Sequence, residues 1–344
     1  MATTPSASDE TSRLLALVTA ARGRRVVVLG DLLADEFVSG RIARVSREAP
    51  VLILEYDSTE IVPGGAGNAA ANVAALGGRA TLVSLAGRDD AGRRVIAACP
   101  RGVDTRAVVR PAGYHTPVKT RILAGGVHSA KQQVVRIDRR TREPITDAWR
   151  DAWVRAATRA LAEADAVLVS DYGSGLLSPA LMARLVAPLR AGRRLPVLVD
   201  SRYDLLRFLG LTACTPNESE VEQALGVTIG DAARALERAG RAILARTRME
   251  AVLITRGSRG MALFEAGAPT LHIPIYGSDE IADVTGAGDT VMATLTLALA
   301  AGASMPEAAR LANYAGGLVV MKRGTATVSA RELTRAVAAG AARR

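Results

Sequence analysis

Five short apolar runs recur along the chain: VVVLGD (Val26–Asp31), ATLVSLAG (Ala80–Gly87), AVLVSD (Ala166–Asp171), PVLVD (Pro196–Asp200) and AVLITRG (Ala251–Gly257). Helix-period segments separate them. Their apolar positions are continuous rather than alternating, which predicts strands covered on both faces. The alternation therefore predicts an α/β fold, a mostly parallel central sheet with helices on both sides. Ligands of such sheets bind beyond the carboxyl ends of the strands, so Asp31, Asp171, Asp200 and Gly257 are expected on one rim.

Two stretches break this rhythm. Phe37 to Val62 and Pro117 to Asp138 carry extended, alternating segments with no helical period. They predict a second, small sheet inserted over the crevice as a lid that excludes water. The expected organisation is a disordered N-terminus over residues 1–12, one α/β body over 13–338 with those two insertions, and a solvated tail over 339–344. No internal repeat or low-complexity linker is visible.

Composition narrows the classes. A chain of 344 residues with 49% hydrophobic and 23% charged residues is globular, and no apolar run reaches the roughly 18 residues of a membrane span. No basic leader precedes the short apolar patch from Leu14, so a cytoplasmic protein with no membrane partner is expected. The net charge is +10, yet the basic residues are dispersed and aromatics are only 3%, so nucleic acid is not the expected partner. Anionic small molecules account for the charge as well. Cys99 and Cys214 make no disulfide framework or metal spacing and are expected to be buried. His115, His128 and His272 stand apart from one another and read as surface or lid residues, which disfavours a zinc enzyme. There is no Walker A lysine, HRD triplet or GxSxG, which excludes P-loop kinases, protein kinases and α/β hydrolases.

Four segments remain as candidate chemistry. In DVTGAGDTVMATLTLALAA (Asp283–Ala301), Asp283 or Thr285 is expected to cap a helix. The amides of Gly286, Ala287 and Gly288 would then cradle an anion at its positive end. Asp289 follows in the first turn, where dipole and N–H donors favour the ionised form. An acid beside a phosphate cradle makes sense if it takes a proton from a substrate hydroxyl while the amides hold the phosphoryl group under attack. The alternative is a plain turn followed by an N-terminal helix acid. IVPGGAGNAAANVAALGG (Ile61–Gly78) opens a helix at Gly64, Gly65 and Gly67. Asn68 and Asn72 share one face, suited to a polyhydroxylated ligand or to simple capping. Gly65 to Ala70 also matches a dinucleotide fingerprint, but no long strand precedes it. In CTPNESEVEQALG (Cys214–Gly226), Asn217 and Glu220 could orient water on Mg²⁺, or form a capping box. TRGSRG (Thr255–Gly260) turns on two glycines after a strand, as backbone against a nucleotide or as a plain turn.

GDLLAD (Gly30–Asp35), PGGAGN (Pro63–Asn68), TPNESE (Thr215–Glu220) and DVTGAGD, in this order across most of the chain, resemble the ribokinase-like sugar kinases of the PfkB family. Within it, SREAP (Ser46–Pro50), QQVVRID (Gln132–Asp138), SDYGSG (Ser170–Gly175) and RGTATVS (Arg323–Ser329) are similar to D-glycero-D-manno-heptose 7-phosphate kinases, the kinase half of a bifunctional heptose enzyme. The resemblance implies a ribokinase-like fold with a β-sheet lid. It also implies ATP- and Mg²⁺-dependent phosphorylation of an alcohol, at anomeric O1 for the heptose kinases, and a homodimer through the lid sheets. By the same resemblance Asp289 is the base, with Gly286, Ala287 and Gly288 as anion hole. Asp35, Gly64, Gly65 and Asn68 hold the sugar. Asn217, Thr255, Arg256, Gly257, Gly260 and Asn313 serve the nucleotide, and Glu220 the metal. A monovalent cation remains an open addition. Arg136 or Arg121 would meet a sugar phosphate, unless both are solvated strand arginines.

The chain departs from those kinases where Ser174 and Asp200-Ser201-Arg202 replace lysine-bearing positions, and Arg202 is not a lysine in its fork geometry. No nucleotidyltransferase His-x-x-His occurs, so a separate protein is expected to continue the pathway. The alternatives are a PfkB kinase of another sugar and a non-catalytic nucleotide- or sugar-binding relative.

Overall fold

The computed structural model describes residues 7–126, 131–141, 143–190, 195–277 and 283–341. His128 lies outside them. The apolar runs become strands β1 (Arg25–Gly30), β4 (Arg79–Val83), β8 (Ala166–Asp171), β9 (Val197–Ser201) and β11 (Ala251–Thr255). The two interruptions become β2 (Leu32–Val45) with β3 (Leu52–Gly65), and β6 (Val118–Gly125) with β7 (Gln132–Arg139). Four short strands complete the set: β5 (Val103–Asp104), β10 (Ala213–Cys214), β12 (Met261–Glu265) and β13 (Leu271–Ile273).

The main sheet runs β13-β12-β11-β10-β9-β8-β1-β4-β5. It is parallel from β11 to β5, and β12 and β13 add antiparallel to one edge. Both faces are buried, because neighbours along one strand serve opposite cores. Val26 and Val28 of β1 pack into the cluster that holds α1 (Ala7–Ala20), α2 (Ala66–Ala75), α8 (Ala287–Ala300), α9 (Met305–Val319) and α10 (Ala330–Ala341). Val27 and Leu29 pack into the other, under α4 (Asp147–Leu161), α5 (Pro179–Arg190), α6 (Glu218–Leu225) and α7 (Ala233–Thr247). The amphipathic α3 (Asp90–Ala97) buries Val95 on the first side.

Chain order leaves β1 for β4 on one side and returns to β8 on the other. The crevice therefore opens where the carboxyl ends of β1 and β8 part. There the chain turns into the small sheet, β3-β2-β6-β7, whose β2 and β6 run parallel with Asp35 opposite Lys119 and Phe37 opposite Arg121.

Two terminal expectations need correction. Residues 7–12 are helical, because Leu14, Leu17 and Val18 dock α1 on the core while Arg13 pairs with Glu307 at 3.0 Å. The expected tail is helical through Ala341, since Leu333, Ala336 and Val337 give α10 a buried stripe. Among the described residues no helix is long and apolar enough to cross a membrane.

Candidate active site

A cleft of about 560 Å³ lies at the carboxyl ends of the central strands, under the small sheet. Asp289, Gly286, Ala287 and Gly288 line it from the start of α8. Asp35, Gly65 and Arg136 line it from the small sheet, and Asn217, Glu220, Thr255, Gly257, Gly260 and Asn313 from the far side. Of the expected site residues, Gly64, Asn68 and Arg256 stay out of the lining.

Asp289 is buried at 5% exposure in the first turn of α8. Asn68 Nδ2 donates to its Oδ2 at 2.8 Å, and the Tyr172 hydroxyl lies 3.3 Å from its Oδ1. The expected preference for the ionised form is overridden. Burial pushes the carboxyl up to about 7, helped by the nearby Asp35 charge and opposed by Asn68, Tyr172 and Lys119. A carboxylate titrating there is a useful proton acceptor near neutral pH.

Gly286, not Asp283 or Thr285, occupies the N-cap position, at φ 76°. Only glycine takes that left-handed conformation without strain, and a Cβ there would stand 2.5 Å from Asn68 Nδ2. Asp283 ties the loop down instead, accepting from the Thr285 and Gly324 amides at 2.9 Å each. One of the three amides expected in the cradle is already spent. Ala287 N–H already donates to the Val284 carbonyl at 3.2 Å. The amides of Gly288 and Asp289 have no acceptor among the described residues, and a Cβ on Gly288 would meet nothing nearer than Asp200 Oδ2 at 3.9 Å. These two N–H groups at a helix start remain available to an anion.

The asparagines behave differently from expectation. Asn68 is 1% exposed, and its amide nitrogen is spent on Asp289 and, at 3.4 Å, on the Gly286 carbonyl. Asn72 donates to Asn68 at 3.1 Å. Neither faces the cleft, because α2 runs into the interior beneath α8. Gly64 lacks a side chain because Asp35 packs directly over it. The dinucleotide match at Gly65 also fails on topology: α2 follows a strand of the small antiparallel hairpin, not a parallel core strand.

Asp35 is held by Arg121 Nη1 at 2.5 Å in a pair whose side chains are 7% and 9% exposed, and by Thr325 Oγ1 at 3.3 Å. Arg136 lines the cleft while paired with Asp138 at 2.9 Å. Lys119 and Arg202 join them in the lining. Burial lowers the Lys119 pKa, and its ammonium sits 4.6 Å from the centre of the Tyr172 ring. Tyr172 stands on the loop after β8, which Asp31 fastens through its Oδ2 to the Tyr172 amide at 2.8 Å and through its Oδ1 to the Ser174 hydroxyl. Ser174, one of the departures, thus serves as an anchor. Of the four rim residues, Asp200 and Gly257 line the cleft, and Asp31 and Asp171 brace its loops.

At the far end, Asn217 and Glu220 form a reciprocal capping box on α6, at 2.9 and 3.0 Å, and both still line the cleft. Arg256 belongs elsewhere. Its guanidinium pairs with Glu218 at 2.7 Å, because the turn that exposes Gly257 points the preceding side chain sideways. Asn313 donates to the Pro274 carbonyl at 2.8 Å, fixing the wall there. Among the described residues no three His, Cys, Asp or Glu side chains converge as a metal cage. The acids nonetheless suit a hydrated divalent cation. Burial and the charges of Glu220 and Asp289 drive the Asp200 pKa well up, and burial raises that of Glu220. Mg²⁺ commonly binds through one or two carboxylates, waters and phosphates rather than a protein cage. Lys119 and Tyr172 were not singled out as site residues from the sequence; the one available signal was that Lys119 is among only three lysines.

Residues 24–332 match the family model described as pfkB family carbohydrate kinase. The chain is 44% identical over 317 residues to the bifunctional protein HldE of Caulobacter vibrioides, covering 91% of this chain and 63% of that protein. It is 41% identical to HldE of Geobacter metallireducens, covering 94% and 65%. The chain thus spans under two thirds of the length of these relatives. Ribokinase of Arabidopsis thaliana, solved with ribose and ATP, superposes with a TM-score of 0.70 at 21% identity, covering 92% of this chain and 99% of that one. Phosphofructokinase-2 of Escherichia coli, solved with potassium, superposes at 0.73 and 16% identity, covering 92% and 99%. The match over residues 24–332 places the chain in the pfkB family of carbohydrate kinases, phosphotransferases that use an alcohol as acceptor.

Proposed function

We propose that the chain transfers the terminal phosphoryl group of ATP to the anomeric O1 of D-glycero-D-manno-heptose 7-phosphate, giving the 1,7-bisphosphate. The observation that carries this reading is the layout of one cleft. A carboxylate of raised pKa and two acceptor-free amides sit on one wall, with Lys119, Arg121 and Arg136 on the small sheet and Arg202 just after β9. Such a basic end suits an acceptor that already carries a phosphate. The HldE relatives support the heptose, and ribokinase, solved with ribose and ATP, supports the donor.

In the reaction Asp289 takes the hydroxyl proton, the sugar oxygen bonds to phosphorus, and the bond to the leaving phosphate of ADP breaks. The Gly288 and Asp289 amides stabilise the charge on the transferring group. Asp35, braced by Arg121 and Thr325, accepts from sugar hydroxyls, and Arg136 and Lys119 meet the sugar phosphate. Gly65, Thr255, Gly257, Gly260 and Asn313 shape the walls against sugar and nucleotide. Bound Mg²⁺ would neutralise the polyphosphate, with Glu220 and Asn217 oriented toward its water shell.

The exposed apolar face of the small sheet, including Ile42, Val45, Tyr56, Val134, Val135 and Ile137, supports a homodimer through that sheet. The use of ATP as donor supports a cytoplasmic location. The test is a panel of heptose 7-phosphate, unphosphorylated heptose, ribose and fructose 6-phosphate with ATP–Mg²⁺, read by ³¹P NMR with potassium varied. The expected product is an anomeric phosphate from heptose 7-phosphate alone. Preference for an unphosphorylated sugar would remove the heptose phosphate reading and favour another PfkB kinase; no turnover with any sugar would favour a non-catalytic relative.

A further inference from the structure

Between α2 and α8 lies a chain of side chains that reaches Asp289 without opening to the cleft. Asn68, Asn72 and Thr290 are at most 1% exposed, so no solvent reorients them. Asn72 Nδ2 donates to the backbone carbonyl of Asn68 and to its Oδ1, each at 3.1 Å. Thr290 Oγ1 donates to Asn72 Oδ1 at 3.0 Å, with the Gly286 carbonyl a second, longer acceptor at 3.3 Å. A backbone carbonyl only accepts, so Asn72 must turn its NH₂ toward Asn68 and its oxygen toward Thr290. The second hydrogen of that NH₂ then requires the Asn68 side-chain oxygen. This leaves the Asn68 NH₂ facing Asp289 Oδ2 at 2.8 Å and the Gly286 carbonyl.

We propose that Asn72 and Thr290 are positioning residues for phosphoryl transfer. They lock the Asn68 amide with its NH₂ toward Asp289, which holds Oδ2 and turns Oδ1 to the substrate alcohol. The proposal rests on the kinase reading above. In the step, the alcohol O–H bond breaks and its proton passes to Asp289 Oδ1. The oxygen forms the new bond to phosphorus, and the bond to the leaving phosphate of the nucleotide breaks with its electron pair. A flipped Asn68 would set its carbonyl oxygen against the carboxylate, favouring protonated Asp289 and removing the base. The other groups facing Asp289 are Asp35 from β2, Lys119 from β6, Tyr172 after β8 and Asp200 on β9, and the side-chain hydrogen bonds of Asn72 and Thr290 go to Asn68 and Gly286 and to each other rather than to them.

Thr290→Val and Asn72→Leu break the chain without altering Asp289 or the cleft lining, and Thr290→Val preserves shape. The readout is kcat/KM against pH. Wild type should rise through an acid limb near 7. In both variants the limb should move up by about one unit, a loss of roughly tenfold at pH 6.5 that recovers above pH 8.5. An equal loss at every pH with the limb unmoved would reduce the pair to packing and overturn the proposal. Should wild type phosphorylate none of the sugars, the kinase reading fails separately. The ¹³C carboxyl resonance of Asp289, identified by its loss in Asp289→Asn, then reads the same shift: an unmoved titration in Thr290→Val overturns the positioning role.

Discussion

The two sheets differ in how they spend their side chains. Along β1 and β8 every residue from Val26 to Leu29 and from Ala166 to Val169 is at most 2% exposed, and nothing charged interrupts them. The small sheet has one closed face carrying a buried ion pair, Asp35 with Arg121, and one open face of exposed apolar side chains. The main sheet makes the fold and presents its strand ends. The small sheet brings charge to the cleft and leaves an exposed apolar surface.

The comparison breaks most sharply at Arg121. Arg121→Leu leaves Asp35 buried without its cation, and a loss of about 3–5 kcal/mol is expected by chemical denaturation. A loss under about 1 kcal/mol would mean the small sheet is not organised by that pair. Gly286→Ala comes next, forcing left-handed backbone on a Cβ that collides with Asn68. Expected is a roughly hundredfold fall in kcat, about 2.7 kcal/mol, with a Tm close to wild type. Unchanged kcat would show that the start of α8 tolerates a different shape.

Much of this contrast was legible beforehand, and the reasons are physical. Continuous apolar runs permit only a strand covered twice, so β1, β8, β9 and β11 could be read within a residue or two. The two-residue β5 and β10 carry too little pattern, and the antiparallel β12 and β13 depend on an edge the sequence does not announce. In the cleft, glycine-rich entry to an apolar helix betrayed Gly286 to Asp289, since few other arrangements need it. Lys119 and Tyr172 meet only through the β2–β6 register and the loop after β8, which no local spacing records. The Arg256 and Asn68 side chains pair with Glu218 and Asp289, which a neighbour lining the cleft does not reveal.

Smaller effects sharpen the picture on the open face. Val135→Glu with Tyr56→Glu should lower the mass seen by light scattering from dimer to monomer while the Tm of the α/β core changes little. Retained mass would move the interface elsewhere. Smallest of all, Arg41→Ala removes an exposed pair with Glu55 at 2.6 Å and should cost about 0–1 kcal/mol. A cost above 2 kcal/mol would mean that surface pairs, not burial, hold the small sheet.

Whether Asp289 accepts the alcohol proton is decided by comparing wild type with Asp289→Asn. Wild type and Asp289→Asn are assayed with ATP–Mg²⁺ and heptose 7-phosphate at pH 8, above the carboxyl's value of about 7. In Asp289→Asn kcat is expected to fall by about 10²–10⁴-fold with the fold intact by circular dichroism. Equal turnover in the two proteins would contradict it.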